Sequence, residues 1–258
     1  MPVHARFATI LRRAVLAAAL LTVPLLAALP AQPARADSFT PAQKAEIVQI
    51  MRDALKKDPS ILRDAVTALQ ADDTARAADA TSRAIAAHQD ALLDPADPIA
   101  GNPNAHVTLI EFFDVRCPYC RQMEPDLERL LAQDHDLRIL YKDLPILGPP
   151  SVLASRALLA AQRQRQYLPM RAILMADPPQ IDMAMIKAAA LKLGLDWPRL
   201  QKDMQDPEIS RALAANVALA KTLGIDGTPA FVLGDTLIPG AVSMADLQRA
   251  IAAVRAGG

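Results

Sequence analysis

Between residues 107 and 142 a seven-residue apolar run, a helix opened by Cys117-Pro118-Tyr119-Cys120 and a second apolar run follow one another. Val107–Phe113 is rich in β-formers and apolar on both faces, the pattern of a central strand covered on both sides of its sheet. One acid, Glu111, interrupts it. In an edge strand such an acid would simply face solvent, whereas in a central strand a buried carboxylate is costly unless it has a partner or a task. Helical periodicity over residues 117–131 leads into a second strand over 137–140, which runs on through Tyr141 and Lys142. Strand, helix and strand within so short a span make a βαβ unit with a parallel pair.

The motif holds the only two cysteines of the 258 residues. As a staple it would be poor, since closing so small a loop stabilises by less than about 2 kcal/mol. As a zinc site it is half of one: no second CxxC follows, and His88, His106 and His135 lack ligand spacing. A dithiol that cycles between reduced and oxidised states is left, its only cofactor the Cys117–Cys120 disulfide itself.

Pro118 suits the first helical position because it has no N–H to leave unsatisfied. The Cys117 thiol then faces the positive end of the helix, which favours its thiolate, while Cys120 lies one turn on and deeper. These positions make Cys117 the nucleophile and attack point and Cys120 the resolving thiol. Glu111, beneath them, is a candidate to shuttle the Cys120 proton, with Lys142 on the neighbouring strand as its candidate partner. Asp114 reads as a turn residue. Arg116 flanks the nucleophile and reads equally as a surface residue. Tyr119 cannot carry a positive charge, so the dithiol is expected to be a milder oxidant than one with histidine there.

Residues 1–36 read as an export signal, with Arg6, Arg12 and Arg13 ahead of an apolar stretch over 14–29 and then Ala34-Arg35-Ala36. Cleavage after Ala36 would leave a periplasmic chain, in a compartment where disulfides form and persist. The apolar stretch is 16 residues long and contains Pro24, short of the roughly 20 that a membrane span needs. All 28 acidic residues lie beyond the signal and four of the 28 basic ones lie within it. The mature part is therefore net acidic, which speaks against nucleic acid as a partner.

Residues 37–93 form a helical arm. Thr40, Pro41 and Gln43 open a first helix, and Asp58-Pro59 ends it and starts a second. Ile47, Ile50, Met51 and Leu55, then Ile61, Leu62, Val66 and Leu69, form apolar stripes too small for a core of their own. They either fold back on the chain's main domain or pair with the same segment, residues 38–92, of a second copy. A proline-rich and turn-rich linker over 94–104 leads to a domain over 105–258. Between its βαβ half and a closing strand–strand–helix half lies a helical insertion over about 149–224, long for a connection.

With these pieces placed, the chain resembles the DsbA-like thiol–disulfide oxidoreductases. The resemblance rests on Gly101-Asn102-Pro103-Asn104-Ala105, on Ile110-Glu111-Phe112-Phe113-Asp114 ahead of the CPYC motif, and on Gly227-Thr228-Pro229-Ala230-Phe231. It implies an α/β thioredoxin-like fold with an inserted helical domain, to which the N-terminal arm is added. It further implies a cis Pro229 beside the cysteines, Thr228 backbone groups that bind a substrate peptide, a buried acid at Glu111 and a membrane redox partner. The arm is similar to that of the ScsC-type branch, whose members oligomerise through such a segment.

The function expected is a periplasmic oxidoreductase that forms or isomerises disulfides in exported proteins. The direction of electron flow stays open, because the resemblance implies isomerases or reductases for oligomers of the ScsC-type branch and oxidases for monomeric DsbA-like proteins. Two alternatives remain. One is a copper-handling protein with the two thiols and Met123 as soft ligands; the other is a helical chaperone or scaffold that works through its arm.

Overall fold

The computed structural model describes residues 39–176 and 181–257. The export signal read into residues 1–36 lies outside them. The chain divides after Ile61 into two compact units.

The first unit holds α1 (Pro41–Lys57), opened by a full capping box: Gln43 N–H donates to Thr40 Oγ1 over 3.2 Å, and Thr40 N–H to Gln43 Oε1 over 2.9 Å. None of its residues is buried, and Ile47, Ile50, Met51 and Leu55 are exposed. Asp58 Oδ1 accepts from the backbone N–H of Ser60, the first residue of α2 (Ser60–Ala87). Leu62, Val66 and Leu69 on α2 are likewise exposed, whereas Ile85 near its end is fully buried.

The second unit is built on a five-stranded sheet in the order β1-β3-β2-β4-β5, from β1 (Ile99–Gly101), β2 (Val107–Phe113), β3 (Leu137–Asp143), β4 (Ala230–Leu233) and β5 (Thr236–Pro239). β2 and β3 are parallel and the remaining pairs antiparallel. Both faces are covered, which explains why β2 is apolar on both sides apart from Thr108 and Glu111. Val107, Leu109 and Phe113 meet Leu127 and Leu130 of α4 (Pro118–Gln133), Leu247 and Ile251 of α10 (Met244–Gly257), and the insertion helices. On the other face Ile110 and Phe112 meet Ile85, Leu92 of the short α3 (Gln89–Leu92), and Leu219 and Leu223.

The insertion comprises α5 (Pro149–Gln162), α6 (Tyr167–Ala176), α7 (Met183–Lys192), α8 (Trp197–Asp203) and α9 (Pro207–Thr222). Aspartates 182, 196 and 206 cap the last three.

The segment read as a linker over 94–104 is corrected in its middle, where β1 pairs with β3. Gly101 ends this strand at φ +87°, and a Cβ there would lie 2.7 Å from the Leu137 carbonyl oxygen. Only glycine lets the backbone approach so closely.

Candidate active site

Cys117 is the N-cap of α4, with Pro118 at the first helical position. The loop that carries it is held by Asp114, a fully buried carboxylate that accepts from Arg116 N–H at 2.8 Å and from Leu147 N–H at 3.0 Å. Asp114 is thus the turn residue its place after a strand suggested. The Arg116 guanidinium donates to the Leu147 carbonyl, which draws it along the loop.

Both cysteines are free thiols. Cys117 Sγ donates to the Thr228 carbonyl oxygen at 3.0 Å, and the Thr228–Pro229 peptide bond is cis. Cys120 lies fully buried on the next turn, and Tyr119 between them is exposed. Burial, and then the charge of Glu111, push the Cys120 thiol well above its ordinary range. Met123 is buried in the same core as the two cysteines. No group of three or more His, Cys, Asp or Glu able to hold a metal ion occurs among the described residues.

Glu111 is fully buried on β2. Burial raises its carboxyl to about 7, with Arg171 pulling down and Glu124 and Asp143 pushing up. Its partner is Arg171, whose Nη2 donates to Glu111 Oε2 at 3.0 Å. The expected pairing with Lys142 is corrected. Glu111 stands opposite Tyr141 and Phe112 opposite Lys142, and because side chains alternate along a strand, Lys142 leaves on the other face of the sheet. There its ammonium is buried and donates to the Ala91 carbonyl and to Asp97, whose carboxyl burial raises to about 6.

Arg171 and Asp143 gave no signal in the sequence. Arg171, on α6, also donates to Glu124 and lies over the rings of Phe113 (4.4 Å) and Tyr141 (4.1 Å). Asp143 accepts from Tyr167 Oη at 2.7 Å, and burial raises it to about 7. An arginine in a helical insertion reads as surface; only its register with a buried acid 60 residues away reveals it.

A dithiol at the N-terminus of a helix, set against a cis Thr228–Pro229 loop on a mixed sheet with a helical insertion, defines a thioredoxin-fold thiol protein. The chain belongs to the DsbA-like family of thiol–disulfide oxidoreductases: the family model described as a DSBA-like thioredoxin domain matches residues 108–252. A second model, the copper resistance protein ScsC N-terminal domain, matches residues 43–76.

Many solved structures are similar to it, three of which illustrate the likeness. Proteus mirabilis ScsC in a transitional conformation is 33% identical with a TM-score of 0.63, over 86% of this chain and 99% of that one. A thioredoxin-like oxidoreductase from Silicibacter pomeroyi is 40% identical with a TM-score of 0.63, over 65% and 97%. A periplasmic thioredoxin-like protein from Salmonella enterica serovar Typhimurium is 35% identical with a TM-score of 0.60, over 65% and 95%.

The chain spans about a quarter of the length of the curated relatives it matches. One of these, the Na(+)/H(+) antiporter NhaA 3 of Salinispora tropica, is 29% identical over 166 residues, 62% of this chain and 26% of that protein. No helix among the described residues is long and apolar enough to cross a membrane.

Proposed function

We propose that this protein forms or isomerises disulfides in exported proteins through Cys117 and Cys120. The observation that carries the reading is the Cys117 sulfur at the N-cap of α4, 3.0 Å from the Thr228 carbonyl. In the oxidised form a substrate thiolate attacks Cys117 Sγ, the Cys117–Cys120 bond breaks, and Cys120 leaves as a thiolate that takes its proton from Glu111. A second substrate thiolate then attacks the substrate sulfur of the mixed disulfide. The substrate disulfide closes and Cys117 leaves, so that two electrons have passed from substrate to dithiol. Run on a wrong disulfide, the reduced form exchanges partners with no net electron transfer.

Export is supported by the signal-like residues 1–36 and by similarity to a protein described as periplasmic. Reoxidation of the dithiol falls to a membrane redox partner.

The arm has the character of a self-association element. Ile47, Ile50, Met51 and Leu55 on α1, and Leu62, Val66 and Leu69 on α2, stand exposed at helical spacing, and rows of that kind are characteristically covered by another chain. Sedimentation of the mature protein and of an Ile50→Glu/Leu62→Glu variant tests this. An oligomer that becomes monomeric, loses refolding of a scrambled-disulfide protein and keeps oxidation of a reduced one is the expected result. A wild-type monomer, or a variant with unchanged mass, would contradict it.

A further inference from the structure

The buried carboxylate beneath the cysteines is held from the insertion. Arg171 is almost fully buried, and its guanidinium lies against the rings of Phe113 and Tyr141. One nitrogen reaches Glu111 on β2 and the other Glu124 on α4. A planar fork that cannot lose its charge suits this task, and a lysine could not reach both carboxylates in the same way.

The groups around Glu111 contain one cation and several acids. From α6 comes Arg171; from α4, Glu124 and Cys120; from β3, Tyr141 and Asp143; from β4, only the phenyl ring of Phe231 opposite it. A single positive charge cannot compensate Glu111, Glu124 and Asp143 together, so one of them takes up a proton most readily. Between the two acids Arg171 touches, Glu124 keeps a side-chain exposure of 20% while Glu111 has none. Glu111 has no water within reach to stabilise its charge. Glu111 Oε1, like Glu124 Oε1 and Asp143 Oδ1, is buried with no hydrogen-bond partner among the described residues, so it is free to carry a proton, and it is exposure that separates Glu111 from Glu124.

We propose that Arg171 is a positioning residue for the redox site: from the insertion helix it fixes Glu111 beneath the dithiol and, shared with Glu124, sets how readily Glu111 exchanges a proton with Cys120. This rests on the proton-shuttle reading of Glu111. Helical insertion and dithiol are then one electrostatic unit, and a change on α6 or at Glu124 alters thiol chemistry without touching either sulfur.

The test is the pH profile of exchange between the mature protein and oxidised glutathione. Wild type should show an inflection that Glu111→Gln removes. Arg171→Met takes away the charge that favours the carboxylate and should move that inflection up by about 1–3 pH units, with Arg171→Lys in between. Glu124→Gln removes a competing acid and should move it down; this variant alters a partly exposed residue and carries the test even if Arg171→Met does not fold. Arg171→Met combined with Glu111→Gln should have the profile of Glu111→Gln alone. An inflection that stays in place in Glu124→Gln, or in a folded Arg171→Met, while Glu111→Gln removes it would overturn the role of Arg171. An inflection that survives Glu111→Gln would remove the shuttle itself, and the role of Arg171 with it.

Discussion

The Cys117 thiol donates a hydrogen bond to the Thr228 carbonyl across 3.0 Å, joining loops 111 residues apart in the chain. A sulfur bonded to a second sulfur has no proton to donate. In the proposed reaction, entry into a mixed disulfide would free this carbonyl to accept an N–H from the attached peptide, in the manner of an added strand. The loop that holds the reduced sulfur is thus suited to hold the substrate that replaces its proton.

Cys120 is fully buried behind Cys117, so a substrate meets Cys117 first. In Cys120→Ser no internal disulfide can form, and the Cys117 thiolate instead attacks a substrate disulfide, expelling one substrate thiolate, with no resolving thiol to release the other. Mixed disulfides should accumulate and appear as bands on a non-reducing gel that a reductant dissolves. An active wild type with no trapped species in the variant would mean that Cys117 is not the attack point.

Tyr119 is exposed between the two cysteines and carries no positive charge. Tyr119→His would place an imidazolium beside the sulfurs and stabilise the reduced, thiolate-bearing form. Equilibrium with glutathione should shift toward the dithiol by on the order of tens of millivolts. A shift toward the disulfide would contradict the assignment.

Folded Glu111 titrates near 7 against an ordinary 4.5. Between those values the folded chain keeps a proton that the unfolded chain has lost. The stability tied to this group is therefore present below about 4.5 and is lost as pH rises through about 7. Glutamine has no such proton. Urea unfolding should find Glu111→Gln gaining on wild type by on the order of 3 kcal/mol from acid to neutral pH. Asp143 and Asp97 titrate in both proteins and largely cancel in this difference; a constant difference would refute the shifted carboxyl.

Lys142 faces Asp97, on the side of the sheet away from Glu111. Lys142→Met leaves that carboxyl without its cation and should cost roughly 1–3 kcal/mol, less than the ~3–5 of a fully buried pair because Asp97 keeps some exposure. The pH profile of thiol exchange should not move. A moved inflection would return Lys142 to the redox site.

The strand–CPYC–helix succession was readable because each part follows a local rule: an apolar run, a proline at the first helical position and an amphipathic helix. Glu111 was readable for a related reason, as the one acid in that run. Its partner was not, because neighbouring strands can be paired by sequence proximity while the parity of their register cannot. One position of register separates Tyr141, on the face of Glu111, from Lys142 on the other. β1 has no legible pattern of its own: it is three residues among prolines and asparagines, stabilised by pairing with β3. The arm's helices and apolar stripes are plain in the sequence, whereas the exposure of those stripes and the burial of Ile85 and Leu92 in the core of the second unit are not.

The redox chemistry proposed for this protein runs through the Cys117 sulfur. Refolding of a scrambled-disulfide protein by the mature chain and by its Cys117→Ser variant measures it most directly, with recovered substrate activity as the signal. Acceleration by the wild type and none by the variant is the result predicted here; a Cys117→Ser protein that refolds the substrate as fast as wild type would contradict it.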